Sequence, residues 1–323
     1  MPIPAIHSRV QSLVLRVGAG SPLGADVAGG KGASLDRLMR LGWNVPPAIC
    51  ITADAFRHQL ASALEPDRLR ALLAALPDAQ ARAAIVEAFE EAPTAPDVRV
   101  AIERGVRALD DRGSPRNARE PTAFAVRSSA LDEDGAVASF AGLHETELGR
   151  TADEIEPAVR RCWASLWSIP AIAYRARRGL PLDGLAMAVV VQVLAAAAAS
   201  AVIFTRHPVS GRDDRILLTA IRGLGEPMVS GDATPDTIVV DRASRAIVER
   251  TAGRPGQRQF VEGGRIVERA DPSTAPVLTD PAIAELVDLA IAIETAAGGP
   301  VDIEAAWTGA AWMLLQSRPV TTA

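Results

Sequence analysis

The stretch from Gly298 to Val320, GGPVDIEAAWTGAAWMLLQSRPV, constrains the fold of this chain most. Apolar and aromatic residues alternate with others on either side of Thr308, Gly309 and Ala310, as in two antiparallel strands joined at a glycine-centred turn. Side chains two apart share a strand face, so Asp302 and Glu304 point one way, and Trp312, Leu314, Gln316 and Arg318 share a face of the return strand. A three-residue loop pairs position 302 with 316 and gathers the carboxylates, Gln316 and Arg318 on one surface. A two-residue loop reverses the register and separates them. Two carboxylates beside a guanidinium suit a divalent cation and a polyphosphate. Mg²⁺ takes one or two carboxylates together with phosphate oxygens, and arginine offers phosphate a planar fork. The same pattern also fits an edge hairpin whose polar face is simply solvated.

A chain of 323 residues with 48% hydrophobic residues buries a substantial core, in two domains or two lobes. The net charge of −5 and pI near 5.5 argue against nucleic acid or an anionic membrane as partner, so any phosphate must be met by local groups. Cys50 and Cys162 form no CxxC or metal-ligand pattern, which fits a reducing cytoplasm. The N-terminus lacks a long apolar run, and the Ala-rich stretch 186–202, interrupted by Gln192, is too short to span a bilayer; the expectation is a soluble protein. All but one of the 34 basic residues are arginine. The exception, Lys31, sits in Gly29-Gly30-Lys31-Gly32, where a compact ammonium beside open backbone suits a phosphate.

After a predicted strand at 12–17, these glycines feed a helix whose apolar face carries Leu35, Leu38 and Met39, and Gly42 stops it. Free N–H groups at such a start favour an anion, although a glycine turn before a helix also serves as a plain cap. It is not a Walker A loop, because Ala25 and Gly32 stand where that motif needs Gly and Ser or Thr. Residues 123–149 predict a strand ending at Arg127, two serines, an acidic loop and a second strand. Arg127 is there a candidate phosphate clamp with a lid over 128–142, or a structural partner of Asp132 or Asp134. Trp163, Leu166 and Trp167 read as core. Apolar strands follow at 187–194, 200–205 and 216–221, then short strands within 246–269 and an amphipathic helix over 280–296. Alternating strands and helices with antiparallel pieces predict an α+β, mixed α/β, fold.

Six segments carry a family likeness: GGKGASLDRL, AVRSSALDEDGAVASFAGLHET, AVVVQVL, AVIFTRHPVSG, GLGEPMVSGDATPDT, and DIEAAW with LLQSRPVT. In this order they resemble the nucleotide-binding domain of the phosphoenolpyruvate synthase and pyruvate phosphate dikinase family, a domain shared with rifampicin phosphotransferases. The resemblance implies a two-lobed ATP-grasp fold with the nucleotide between lobes, divided here as 1–185 and 186–323. It implies ATP and Mg²⁺, cleavage of ATP to AMP and phosphate, and passage of the β-phosphoryl group to a histidine on a separate swivelling domain or partner protein. Carried over by position, Lys31 and Arg127 are similar to the phosphate-binding cations, and Gln192, Val193 and Leu194 to the adenine strand. Thr205 is similar to a phosphate or metal-shell hydroxyl, Asp302 and Glu304 to the Mg²⁺ ligands, and Gln316 and Arg318 to the pair facing the phosphates. Lys31, Arg127 and Arg318 then carry the catalysis.

Two departures stand out. The family's EASxGLGE pattern has Thr219-Ala220-Ile221-Arg222 before GLGE here, which removes a carboxylate and sets a new arginine near the expected nucleotide. None of His7, His58, His144 and His207 has the glycine- and serine-rich setting of the family's phosphoacceptor, and the chain stops at Ala323 where family members continue. A nucleotide-binding regulator without phosphotransfer is the alternative reading, and an ATP-grasp ligase a third.

Overall fold

The computed structural model describes residues 13–113, 122–131, 146–208 and 210–320. The chain divides into two units, Met1–Arg40 with Pro47–Leu194, and Leu41–Pro46 with Ala195–Ala323.

The first unit runs β1 (Val14–Arg16), α1 (Ala25–Arg40), β2 (Ala48–Ile51), α2 (Ala53–Ala63), α3 (Pro66–Ala75), α4 (Ala79–Glu90), α5 (Pro96–Gly113), β3 (Phe124–Ala130), β4 (Thr146–Arg150), α6 (Ile155–Ser165), α7 (Ile169–Arg178) and β5 (Met187–Val193). Its five strands lie in the order β1-β2-β5-β3-β4, and every neighbouring pair is antiparallel. One face, with Ile49, Ile51, Val126, Val189 and Val191, is covered by the helices that bring Phe56, Phe89 and Trp163 together. These three rings sit 5.0 to 6.1 Å apart, and the Trp163 indole N–H donates to Met187 O at 3.1 Å, so the predicted core role of this tryptophan holds.

Three expectations for this unit are corrected. The lobe boundary falls between Leu194 and Ala195, not at 185/186, because β5 is the central strand and hydrogen-bonds to both β2 and β3. Arg127 lies inside β3, not at its end, since Ser128 and Ser129 continue the ladder opposite Val189 and Ala188. The helix predicted to start at the glycines begins earlier, at Ala25, and breaks at Gly29. Of the predicted lid, residues 132–142 lie outside the described residues.

The second unit runs β6 (Ala199–Phe204), β7 (Arg215–Arg222), α8 (Glu226–Val229), β8 (Asp236–Asp241), β9 (Ile247–Thr251), β10 (Gly256–Glu262), β11 (Arg265–Asp271), α9 (Asp280–Ala297), β12 (Val301–Trp307) and β13 (Trp312–Pro319). Six strands form an antiparallel sheet in the order β13-β12-β6-β7-β8-β9, with β10 and β11 as a separate hairpin. Ala201, Ile203, Leu218, Ala220, Ile238, Ile303 and Ala305 fill the face towards α9, which buries Leu286, Val287 and Ala290. The other face carries half-exposed residues such as Val202, Phe204, Thr219 and Thr237. Mixed helices and sheets in both units agree with the predicted α+β class. Among the described residues no helix is long and apolar enough to cross a membrane.

A buried carboxylate organises the loop before α1. Asp36 accepts the N–H groups of Gly18 at 2.7 Å and Leu23 at 3.0 Å and the Arg40 Nε at 2.6 Å, while Arg40 Nη2 donates to Ala19 O and Ser21 O. Burial alone pushes this carboxyl up, but Arg40 and the two N–H groups hold it below the usual range. Its stabilisation is therefore present above the unfolded-state value near about 3.9 and is lost as pH falls through the lower folded-state value. Asp36→Asn is expected to cost about 2 kcal/mol in urea unfolding at pH 7, a loss that shrinks below about pH 4; an equal loss at every pH would assign the effect to shape alone.

Candidate functional site

The C-terminal hairpin forms as predicted but in a different register. Trp307 pairs with Trp312, so the turn holds four residues, and Thr308 N–H closes it on Ala311 O at 3.1 Å. From this turn Ala306 faces Met313 and Ala305 faces Leu314; then the ladder slips, and Glu304 faces Gln316 and Asp302 faces Arg318. Leu315 is the extra residue of a β-bulge. The expected 302–316 pairing is therefore wrong, as is the expectation that Trp312 and Leu314 share a face with Gln316 and Arg318. Carried on without the bulge, the turn's register would set Asp302 opposite Ser317 and turn Gln316 and Arg318 away from the carboxylates. With it, Trp312 and Leu314 face the core beside Ala305, and Asp302, Glu304, Gln316 and Arg318 share the other face.

Asp302 is 5% exposed, and its Oδ2 accepts from Arg318 Nε at 2.8 Å. Its Oδ1 is buried without a hydrogen-bond partner among the described residues. Burial pushes this carboxyl up; Arg318 partly offsets that, and the nearby Glu304 charge adds to it. A buried, under-satisfied carboxylate beside a second carboxylate is a donor set that could hold a divalent cation. Among the described residues no three His, Cys, Asp or Glu gather into a closed cage. The arrangement instead fits Mg²⁺, which completes its shell with phosphate oxygens and water.

Other predicted residues of this unit take different places. Thr205 is fully buried, and its hydroxyl accepts the Val301 N–H at 2.9 Å. It therefore clamps the start of β12, and its hydroxyl is not presented to a ligand. Thr219, where the family pattern has a glutamate, lies on the carboxylate face: Glu304, Val202, Thr219 and Thr237 form one row across four strands. Arg222 does not lie there. It alternates to the α9 side of β7 and donates to Asp271, Ala275 O and Pro276 O, so the expectation of a new arginine beside the nucleotide is corrected.

In the first unit, Gly29 has φ +66°, and a Cβ there would meet Ser129 O at 2.1 Å. The kink lets α1 lie directly on β3. Ser129 Oγ donates to Ala28 O at 2.7 Å and accepts the Gly32 N–H at 3.1 Å, a cap lent to the second helical segment by a distant strand. The glycines thus serve close approach, and Ser129, two residues along β3 from Arg127, bonds the backbone on either side of Lys31, at Ala28 and Gly32. Arg127 and Gln192 lie on the α1 side of this sheet, where Arg127 faces Val190 and Thr146 and the buried Gln192 faces Ala48 and Ala125. The Val193 and Leu194 N–H groups are used within the unit, by Pro47 O at 2.9 Å and Ala123 O at 2.8 Å. Sequence reasoning did not find the cap by Ser129, because nothing in the spacing of 29–32 and 129 points from one to the other.

Because the folded-state value of Asp302 is raised, stability falls as pH rises from the unfolded-state value of about 3.9 to the folded-state value, and the full cost of ionising the carboxyl is present above it. Asp302→Asn is expected to leave the ligand-free protein as stable at pH 7 or to raise its melting temperature by roughly 2 °C, while removing Mg²⁺-dependent nucleotide binding. A marked fall in melting temperature would make the carboxylate a structural partner of Arg318.

The pyruvate phosphate dikinase AMP/ATP-binding domain matches residues 25–323. A probable phosphoenolpyruvate synthase of Methanocaldococcus jannaschii is 37% identical over 92% of this chain and 26% of its own length. A rifampicin phosphotransferase of a Streptomyces species is 38% identical over 91% of this chain and 34% of its own. The prodigiosin synthesizing transferase PigC of Serratia marcescens is 36% identical over 96% of this chain and 33% of its own. The chain thus spans a quarter to a third of the length of these three relatives. With its motifs matched along nearly their whole extent, the chain belongs to the pyruvate phosphate dikinase AMP/ATP-binding domain family.

Proposed function

We propose that this chain is the ATP-handling domain of a dikinase-type phosphotransferase. It binds Mg·ATP, splits it to AMP and phosphate, and passes the β-phosphoryl group to a histidine on a separate domain or partner protein. The observation that carries this reading is the bulged hairpin, which sets Asp302, with its orphaned buried oxygen, on one face with Glu304, Gln316 and Arg318. Family membership supports the nucleotide; the names of the relatives, a phosphoenolpyruvate synthase and a rifampicin phosphotransferase, support phosphoryl transfer. A cytoplasmic setting fits such a substrate.

Asp302 and Glu304 would hold Mg²⁺, which when bound neutralises phosphate charge and fixes the phosphate chain. The protein's own residues do the rest. Arg318, tied at Nε to Asp302, sets a guanidinium beside the two carboxylates where it would meet phosphate oxygens, and its placement is set by the strand, not by a mobile loop. In the first unit, Lys31 and Arg127 are the residues that the family resemblance assigns to phosphate binding. Phosphoryl transfer needs little covalent help; it needs alignment and charge stabilisation, which fixed cations provide without reorganising. Gln192, Val193 and Leu194 would receive adenine, the last two offering half-buried apolar side chains.

A second reading, a nucleotide-binding regulator without turnover, draws on Thr219: the carboxylate face lacks the glutamate that the family pattern places there. One experiment separates the two. The chain is incubated with Mg²⁺ and ATP labelled at the β- and γ-phosphates, alone and with a candidate histidine-domain protein. AMP and an acid-labile, β-labelled phosphoprotein are expected in the mixture only. Bound but intact ATP in both tubes overturns phosphotransfer and leaves the regulator.

A further inference from the structure

A chain of polar contacts runs from the end of α9 to the carboxylate strand, and the nucleotide reading leaves it unused. Glu294 lies in the last turn of α9, where Gly298 and Gly299 donate their N–H groups to its carbonyl and Gly298 takes the left-handed conformation, φ +76°. A carboxylate at a helix C-terminus faces the negative end of the dipole and needs a cation to sit there. Arg242, the residue after β8, supplies it: Nη2 donates to Glu294 Oε2 at 2.5 Å. Its Nη1 donates to Thr205 O at 3.1 Å, and its backbone N–H to Asp214 O at 3.0 Å, so the arginine is anchored at three points.

Thr205 passes this anchorage on. Its N–H donates to Val301 O at 3.0 Å, and its hydroxyl accepts the Val301 N–H at 2.9 Å. Val301 directly precedes Asp302. A carboxylate oxygen that is buried without a donor stays so only if its backbone is held; a strand start free to fray would turn it to water.

We infer that Arg242 is a positioning residue for the cation-binding carboxylates, acting through Thr205 and Val301 on Asp302. This rests on the proposed Mg·ATP reading. It touches no substrate, so its effect must appear where the position of Asp302 matters and nowhere else.

The test compares wild type, Arg242→Ala and Arg242→Lys by two readouts. The first is hydrogen exchange of the Val301 amide in the ligand-free protein, whose acceptor is the Thr205 hydroxyl. The second is ATP affinity with saturating Mg²⁺ and with a chelator. Arg242→Ala is expected to speed Val301 exchange at least tenfold and to weaken Mg·ATP about tenfold, with metal-free ATP binding unchanged. Arg242→Lys, which keeps the charge but not the fork that reaches Thr205 O and Glu294 together, is expected to show about a threefold change in both, again only with Mg²⁺ for affinity, and serves where the alanine variant fails to fold. Unchanged exchange and affinity in both variants overturn the inference alone, as does an equal loss with and without Mg²⁺. A wild type that binds no ATP under either condition overturns the proposed function and this inference together.

Discussion

The face that this account depends on exists because of one extra residue. Without the bulge at Leu315, the register set at the Trp307–Trp312 turn would carry Gln316 and Arg318 to the α9 side, where Leu314 and Ile303 are buried. There a guanidinium would meet an apolar core and Asp302 would lose its partner. The bulge lets one strand serve both needs in sequence. Near the turn it buries Trp312 and Leu314, and beyond the slip it presents amide and guanidinium beside two carboxylates. The raised carboxyl at Asp302 belongs to the same arrangement, since the bulge leaves it buried with Arg318 beside it and the Glu304 charge nearby.

The two units solve related problems by different means. In the second, the polar groups stand on paired strands and are held from behind by Thr205, Arg242 and Glu294. In the first, the cation Lys31 rides on a helix, and the helix is brought to the sheet by glycine. No side chain fits between Gly29 and Ser129, and Ser129 replaces the missing local cap with its own hydroxyl. The helical segment that carries the single lysine of the chain is thereby tied to β3, the strand that bears Arg127.

Much of this was legible in the sequence. Strand alternation located both arms of the hairpin, the apolar run at 187–194 located the central strand, and the helix over 280–296 was read nearly to its ends. The grouping of residues on the shared face was also right, for a reason that was partly wrong. Period-two counting placed Gln316 and Arg318 with Trp312, and a pairing of 302 with 316 then gave the correct grouping; the structure reaches that grouping through a four-residue turn and a slip. A bulge leaves no composition signal at Leu315, because it is a property of two strands together. The same holds for Thr205 and Ser129. Each was noticed as a hydroxyl near a candidate site, but what the hydroxyl bonds is fixed by a partner about a hundred residues away. Arg222 misled for a similar reason: its neighbours in sequence suggested the nucleotide, while strand alternation turns it to the loop at 275–276.

The most direct test of the account is where a divalent cation sits. Crystals of the protein with Mn²⁺ and a non-hydrolysable ATP analogue, measured at the manganese edge, locate the ion by its anomalous signal. The account predicts a peak within bonding distance of the Asp302 and Glu304 carboxylates, on the face shared with Gln316 and Arg318, with phosphate oxygens in its shell. A nucleotide bound with its metal away from both carboxylates would contradict it.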